Sequence, residues 1–308
     1  MNASNRLFSK GSFILTGCSI FYLVFVSILT GLRTEHWVIV FILNGMFYAG
    51  KPTRRFILGF GIFVVFAMLY DIMRAFPNYL YRPVDIMGLY NLEKAWYGIG
   101  NGAGRMTPNE YLSVHQNPLY DFLSGFFYIN WIPVPLAFAV YLYFSDKRTF
   151  LNFSLTFLLV NVVGFCIYYI HPAAPPWYVK LYGFDLHLGV PGSTAELVRF
   201  DRMIHFGLFD GIYAKNANVF AAMPSLHCAY PVVVFFYTLT TRKTILIYAS
   251  IVFMIGIWFA AVYSGHHYLF DVFCGILCAV AGITFYQFWL LRRNWYSRFI
   301  CEYLNVIS

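Results

Sequence analysis

Apolar residues run in long blocks near 11–31, 36–49, 56–73, 119–144, 150–170, 224–240, 243–264 and 268–291, separated by short charged turns and two long polar loops. Most of these blocks approach the roughly 20 residues that a helix needs to cross about 30 Å of hydrocarbon. The block at 36–49 is short and fits a re-entrant or tilted piece as well as a full span. The first block is too long for the core of a cleaved signal peptide, and its end, Thr30-Gly31-Leu32-Arg33, lacks a small-x-small pattern. With no tandem repeat or linker, residues 1–308 read as a single polytopic domain: an all-α integral membrane protein with about eight transmembrane helices and long external loops. Within the loop 74–118, the stretch 85–97 with Val84, Ile86, Leu89, Leu92 and Trp96 predicts an amphipathic helix in the interface or a simple exposed loop.

Composition narrows the class. Only 11% of residues are charged and 60% are hydrophobic, which excludes an ordinary water-soluble globule, a disordered chain and a fibrous repeat. The net charge of +8 sits in small clusters between apolar blocks instead of along one stripe, so nucleic acid is not the expected partner. Eight spans put both termini on one side with the turns 50–55, 145–149 and 241–243. Arg6, Lys10, Lys51, Arg54, Arg55, Lys147, Arg148, Arg242, Lys243, Arg292, Arg293 and Arg298 lie there, against nine of the 21 Lys and Arg on the other side. The excess of positive charge on cytoplasmic loops then predicts cytosolic termini. The loops 74–118 and 171–223 and the turn 264–267 fall on the non-cytosolic face. Six cysteines lie in or beside apolar blocks, and Cys274 and Cys278, one helical turn apart, read as packing thiols.

The chemistry-bearing residues gather on that same external face. Met223-Pro224-Ser225-Leu226-His227 opens a span, and a helix N-terminus offers free N–H groups to a phosphate. Ser225 joins the candidate substrate-binding residues on this ground, and His227 falls in the first turn. In Gly265-His266-His267-Tyr268-Leu269-Phe270-Asp271, a helix starting near His267 brings Asp271 one turn along on the same face. A carboxylate holding one imidazole nitrogen leaves the other free as nucleophile or base. A structural His–Asp pair, or a metal set of His266, His267 and Asp271, are the competing readings.

The pairs Pro224-Ser225-x-His227 and His267-x-x-x-Asp271 resemble two of the three signatures of the type 2 phosphatidic acid phosphatase superfamily. The resemblance implies a six-helix phosphatidic-acid-phosphatase-like core and a phosphohistidine mechanism without metal or other cofactor. His267 would be the nucleophile, Asp271 its orienter and His227 the general acid and then base. His171-Pro172-Ala173-Ala174-Pro175-Pro176-Trp177-Tyr178, Leu181-Tyr182-Gly183 and Phe220-Ala221-Ala222, together with the histidine motifs, look like fungal inositol phosphorylceramide synthases across roughly 165–275. That likeness implies transfer of phosphoinositol from phosphatidylinositol to ceramide or dihydroceramide, with diacylglycerol released.

Two departures shape the expectation. Phosphatases carry Ser-Arg seven and six residues before the nucleophile, where this chain has Ala260 and Ala261, and their first Lys/Arg-Pro signature has no clear counterpart. A diester carries less charge than a monoester and needs fewer cations, so these losses point from phosphatase towards transferase. Arg74, Arg199, Arg202 and Lys215 are the candidates for the remaining positive charge, with His266 and His171 as further headgroup contacts. Asp71 and Arg74, three apart, fit either a structural ion pair or an inositol-binding pair. A lipid phosphate phosphatase, another phospho-headgroup transferase and a membrane transporter are the rival functions. Short tails on a compact chain favour a bacterial inner membrane over a Golgi membrane.

Overall fold

In a computed structural model the chain is described at residues 10–214 and 218–308; Arg6 and Lys215 lie outside these residues. Three helices come first, α1 (Lys10–Leu29), α2 (Thr34–Ala49) and α3 (Lys51–Ile72), followed by the external α4 (Met87–Tyr97) and α5 (Pro108–Val114). Next come α6 (Pro118–Ile129), α7 (Pro133–Ser145), α8 (Lys147–Ile170) and three short external helices, α9 (Pro176–Tyr182), α10 (Val198–Ile204) and α11 (Leu208–Tyr213). The chain closes with α12 (Leu226–Thr241), α13 (Thr244–Tyr263), α14 (Leu269–Phe285), a π-helical turn to Leu290, and α15 (Asn294–Ile307).

Every apolar block is helical, and among the described residues five helices are long and apolar enough to cross a membrane. The pair α6–α7 makes a sixth when its 45° bend is taken as one broken span. Pro133 at the break supplies no N–H to the helical ladder. The remaining two, α2 and α12, have 16 residues each, about 24 Å at 1.5 Å per residue and so shorter than the hydrocarbon layer. Against the expected eight or so spans, five or six of the described helices are therefore long and apolar enough to cross, and these two are shorter apolar helices. Phe13, Phe21, Phe41, Ile245, Val252 and Phe273 are exposed on outward faces, as lipid-facing side chains are. The apolar pattern did not mark α15. Its buried face of Tyr296, Ile300 and Ile307 packs on α3 and α8, with the Tyr303 hydroxyl donating to Leu58 O at 2.7 Å.

Between α3, α7, α8 and α12 the core is aromatic: Phe63, Phe138, Phe150, Phe153, Phe157 and Tyr230 are buried together. Hydroxyls brought into it find partners, as Thr156 does with Tyr237 at 2.7 Å, which removes the penalty of an unpaired buried group. α12 is wrapped by α8, α13 and α14. Glycines allow the closest approaches. A Cβ on Gly275 of α14 would stand 2.2 Å from the Ser225 carbonyl oxygen, whereas one on Gly61 of α3 would meet nothing within 4 Å. Gly275→Ala must therefore separate the starts of α12 and α14. Its thermal unfolding temperature in detergent should fall at least ~2 °C below that of Gly61→Ala, since overpacking costs about 1–3 kcal/mol. Equal values for the two variants would show that this contact can relax.

Outside the bundle, three loop segments zip together by backbone bonds. Asp85 N donates to Pro172 O at 2.8 Å and Ala174 N to Asp85 O at 2.9 Å; Ala173 N donates to Phe220 O at 3.0 Å and Ala222 N to Ala173 O at 3.3 Å. Asn78, fully buried, clamps the arrangement to α8 by donating to Tyr168 O and Phe220 O, both at 2.8 Å.

Candidate active site

His227 sits in the first turn of α12, as expected, but the helix begins two residues later than the proline suggested. Ser225 is the N-cap, its Oγ accepting from Cys228 N at 3.4 Å, and it is fully buried against Gly275. Ser225 therefore serves α12 as its cap, and its hydroxyl is turned to Cys228 N.

His267 also departs from the helical expectation. α14 starts at Leu269 with extended Tyr268 as its N-cap, so His267 lies in the loop before the helix. Asp271 is the third helical residue and its Oδ2 accepts from Tyr268 N at 2.9 Å. The imidazole Nδ1 of His267 stands 3.0 Å from Ala222 O and 3.7 Å from Asp271 Oδ2. A carbonyl oxygen only accepts, so Nδ1 carries the hydrogen, and in the neutral ring Nε2 holds a lone pair. That Nε2 lies 3.1 Å from His227 Nδ1. The proton between the two rings therefore resides on His227. The Tyr128 hydroxyl oxygen, at 3.3 Å, is a second acceptor for the same N–H. Trp131 packs edge-on to His227 with ring centroids 4.6 Å apart.

The loop that carries His267 is held at nearly every residue. His267 N donates to Ala261 O at 3.1 Å, Trp177 N to Gly265 O at 3.0 Å and Glu196 N to Ser264 O at 3.1 Å. Asn109, which the pattern gave no reason to single out, donates to Val262 O at 2.8 Å and His267 O at 2.9 Å. Asp271 O accepts from Ser225 N at 3.0 Å, joining the two histidine motifs directly. The 171–174 segment is the middle member of the external ribbon and places Ala222, whose carbonyl fixes the His267 tautomer.

Glu93 is the largest omission. The amphipathic helix anticipated at 85–97 exists as α4, yet its inward face carries buried Glu93 beside Leu89, while Trp96 is exposed. The Glu93 carboxylate accepts from Leu269 N at 2.9 Å and Phe270 N at 3.1 Å, satisfying two free donors at the start of α14. An acid four residues after Leu89, in register with the apolar stripe, was the available signal. Burial pushes its carboxyl up to about 7 despite the two N–H bonds, with nearby Asp271 adding to the rise. A folded-state value above the ordinary 4.5 favours the protonated form, so that stabilisation is full below 4.5 and lost as pH rises through about 7. Thermal stability of the solubilised protein should accordingly decline between about pH 5 and pH 7.5, and Glu93→Gln should flatten the slope. Equal slopes in both proteins would remove Glu93 as its source.

A cavity of about 590 Å³ opens on the histidines and is walled by Tyr128, Trp131, Phe165, Tyr168 and Tyr230. His266 lines it between the rings of Tyr128 and Tyr213 at 5.3 and 4.4 Å. Its Nε2 donates to Ser193 O at 3.2 Å and its Nδ1 accepts from Ser264 Oγ at 3.0 Å; burial holds its pKa down to about 3. It forms a neutral wall. Arg74 also lines the cavity, in an ion pair with Asp71 at 3.2 Å.

Other proposed contacts lie elsewhere. Arg199 is half-buried in ion pairs with Asp121 at 2.6 Å and with Glu196, and bends over the Tyr263 ring, so it braces α10 against α6 and α13. Arg202 is exposed and forms no part of the cavity wall. His171 pairs with Asp85 at 3.2 Å within the external ribbon. Ala260 and Ala261 are fully buried and pack with Leu197 and Cys228, so no cation stands at these positions.

The profile of the PAP2 superfamily matches residues 106–285. The chain is 43% identical over 289 residues to the phosphoinositol dihydroceramide synthase of Bacteroides thetaiotaomicron, covering 93% of this chain and 95% of that one. It is 27% identical over 165 residues to the inositol phosphorylceramide synthase of Candida albicans, spanning 53% of this chain and 34% of the fungal one. It is also 32% identical over 124 residues to the inositol phosphorylceramide synthase catalytic subunit of Saccharomyces cerevisiae, spanning 38% and 29%. No solved structure matches the chain.

Proposed function

The chain belongs to the PAP2 superfamily, and from that premise we propose that it is a sphingolipid phosphotransferase that moves phosphoinositol from phosphatidylinositol to ceramide or dihydroceramide. The observation that carries the mechanism is the 3.1 Å approach of His267 Nε2 to His227 Nδ1 at the wall of an aromatic cavity. In the first half-reaction His267 Nε2 bonds to phosphorus, the bond from phosphorus to the glycerol oxygen breaks, and His227, as the imidazolium, gives one proton to that oxygen and is left neutral. Diacylglycerol leaves. In the second half the sphingoid hydroxyl loses its proton to His227 and bonds to phosphorus as the phosphorus–nitrogen bond breaks. Covalent catalysis divides one displacement into two, and acid–base help contributes about 10² to 10⁴-fold at each.

A gap of 3.1 Å leaves no room for a phosphoryl group, so the donor must part the imidazoles and take over the His227 proton. Before that event the lone pair is occupied by a hydrogen bond, which protects the nucleophile. The aromatic walls limit water, the competing acceptor. The Lys and Arg distribution supports cytosolic termini and a site on the non-cytosolic face of a bacterial membrane. α12, about 24 Å long, would set His227 below the outer surface, where lipid headgroups meet their tails.

Purified protein given inositol-labelled phosphatidylinositol and dihydroceramide should yield a sphingolipid that retains the label. Inorganic phosphate from phosphatidic acid, with no labelled sphingolipid, would overturn the reading in favour of a phosphatase.

A further inference from the structure

The cavity that begins at the histidines ends in a polar network which the PAP2 match at 106–285 does not include. Arg33, His36, Asp71 and Arg74, from α2, α3 and the turns beside them, line this end. Asp71 is the hub: Arg33 pairs with its Oδ1, His36 Nε2 donates to Oδ2 at 3.0 Å, and Arg74 Nε stands 3.2 Å from Oδ1. His36 is 2% exposed and its Nδ1 accepts from Arg33 N at 3.2 Å, so the imidazole is locked with its N–H towards the carboxylate. The arginines stay part-exposed to the cavity, at 28% and 26%. Glu35, at the exposed rim, adds a second carboxylate.

We propose that this network is the polyol-binding site, where the inositol ring of the donor lipid docks while its phosphorus lies at His267. The inference rests on the transferase reading above and adds what selects the headgroup. Each hydroxyl of a polyol both donates and accepts, so it calls for guanidinium N–H groups and carboxylate oxygens side by side. A choline headgroup offers no hydroxyl to these donors and acceptors and would leave them without partners, which disfavours it. The division of labour follows the family match: the matched segment carries the histidines, and the α2–α3 hairpin before it carries the discriminating contacts.

The test compares the wild type with Arg33→Gln and Arg74→Gln, titrating phosphatidylinositol and dihydroceramide separately and adding water-soluble glycerophosphoinositol or glycerophosphocholine as inhibitors. Each substitution should raise KM for phosphatidylinositol about 10- to 100-fold, the effect of losing a charged hydrogen bond, with kcat within about threefold and the dihydroceramide KM unchanged. Glycerophosphoinositol should inhibit the wild type competitively against the donor where glycerophosphocholine does not, an arm that stands even if a variant fails to fold. A phosphatidylinositol KM unchanged in both variants, or equal inhibition by the two glycerol phosphodiesters, overturns the site while leaving the transferase reading intact. A wild type that transfers no inositol overturns both.

Discussion

Replacing His267 with asparagine is expected to abolish phosphoinositol transfer, by at least about 10⁴-fold, because it removes the nitrogen that forms the bond to phosphorus. His227→Asn should also be severe with the natural donor, whose glycerol oxygen departs only with a proton. The two variants separate on a donor whose leaving group is an acidic phenol. Such a group leaves without protonation, so His227→Asn should regain the first half-reaction and release one equivalent of phenol in a burst. The enzyme should then carry a phosphoinositol adduct on His267, visible as a mass increase that is labile in acid. His267→Asn should show neither burst nor adduct. A burst from His267→Asn, or an adduct on another residue, would refute the assignment of nucleophile.

The division between these roles is what the resemblance to the superfamily signatures implies; the pattern itself put both histidines at the edges of apolar blocks on one predicted face. The structure brings their rings to 3.1 Å although 40 residues separate them. Periodicity also found the apolar helices, since lipid demands long uninterrupted runs and leaves few ways to misplace them. It could not find the partners. Tyr128 is one aromatic among many in α6, and only the folded chain, with α6 packed on α13, brings it to His227. Asn109 acts through a side-chain amide on backbone carbonyls more than 150 residues away, a contact that leaves no mark on local patterning. Arg199 and His171 were read as headgroup contacts because an uncommitted charge on an external loop looks available. Asp121 and Asp85, which pair with them, lie 78 and 86 residues away in the chain and could not be matched in advance.

Misplacing the start of α14 had a mechanistic consequence. A helix beginning at His267 would bring Asp271 onto the imidazole as its main partner. With Tyr268 as the cap, Asp271 turns back to the Tyr268 N–H and stands 3.7 Å from His267 Nδ1, while Ala222 O takes the hydrogen bond at 3.0 Å. In the proposed mechanism the orienting function is therefore divided between a side chain and a backbone carbonyl, and the external ribbon through Ala173 supports the site.

That division sets the size of the second large effect. Asp271→Asn keeps the oxygen that accepts from Tyr268 N and stands 3.7 Å from His267 Nδ1, but it removes the negative charge beside the ring. The ring then loses the anion that stabilises the positive charge it gains on attacking phosphorus and holds its Nδ1 hydrogen less firmly. In a Ser-His-Asp triad the same carboxylate-to-amide change costs about 10⁴-fold in kcat. With Ala222 still holding Nδ1, kcat here is expected to fall less, about 10²- to 10³-fold, while KM for both lipids stays within about threefold. Asp271→Glu, whose extra methylene must fit a fully buried position, should cost more in stability than Asp271→Asn. A kcat for Asp271→Asn within tenfold of the wild type would mean that the Ala222 carbonyl fixes the tautomer by itself. The carboxylate would then serve the start of α14 alone, and the catalytic constellation would be two histidines and a strand of backbone.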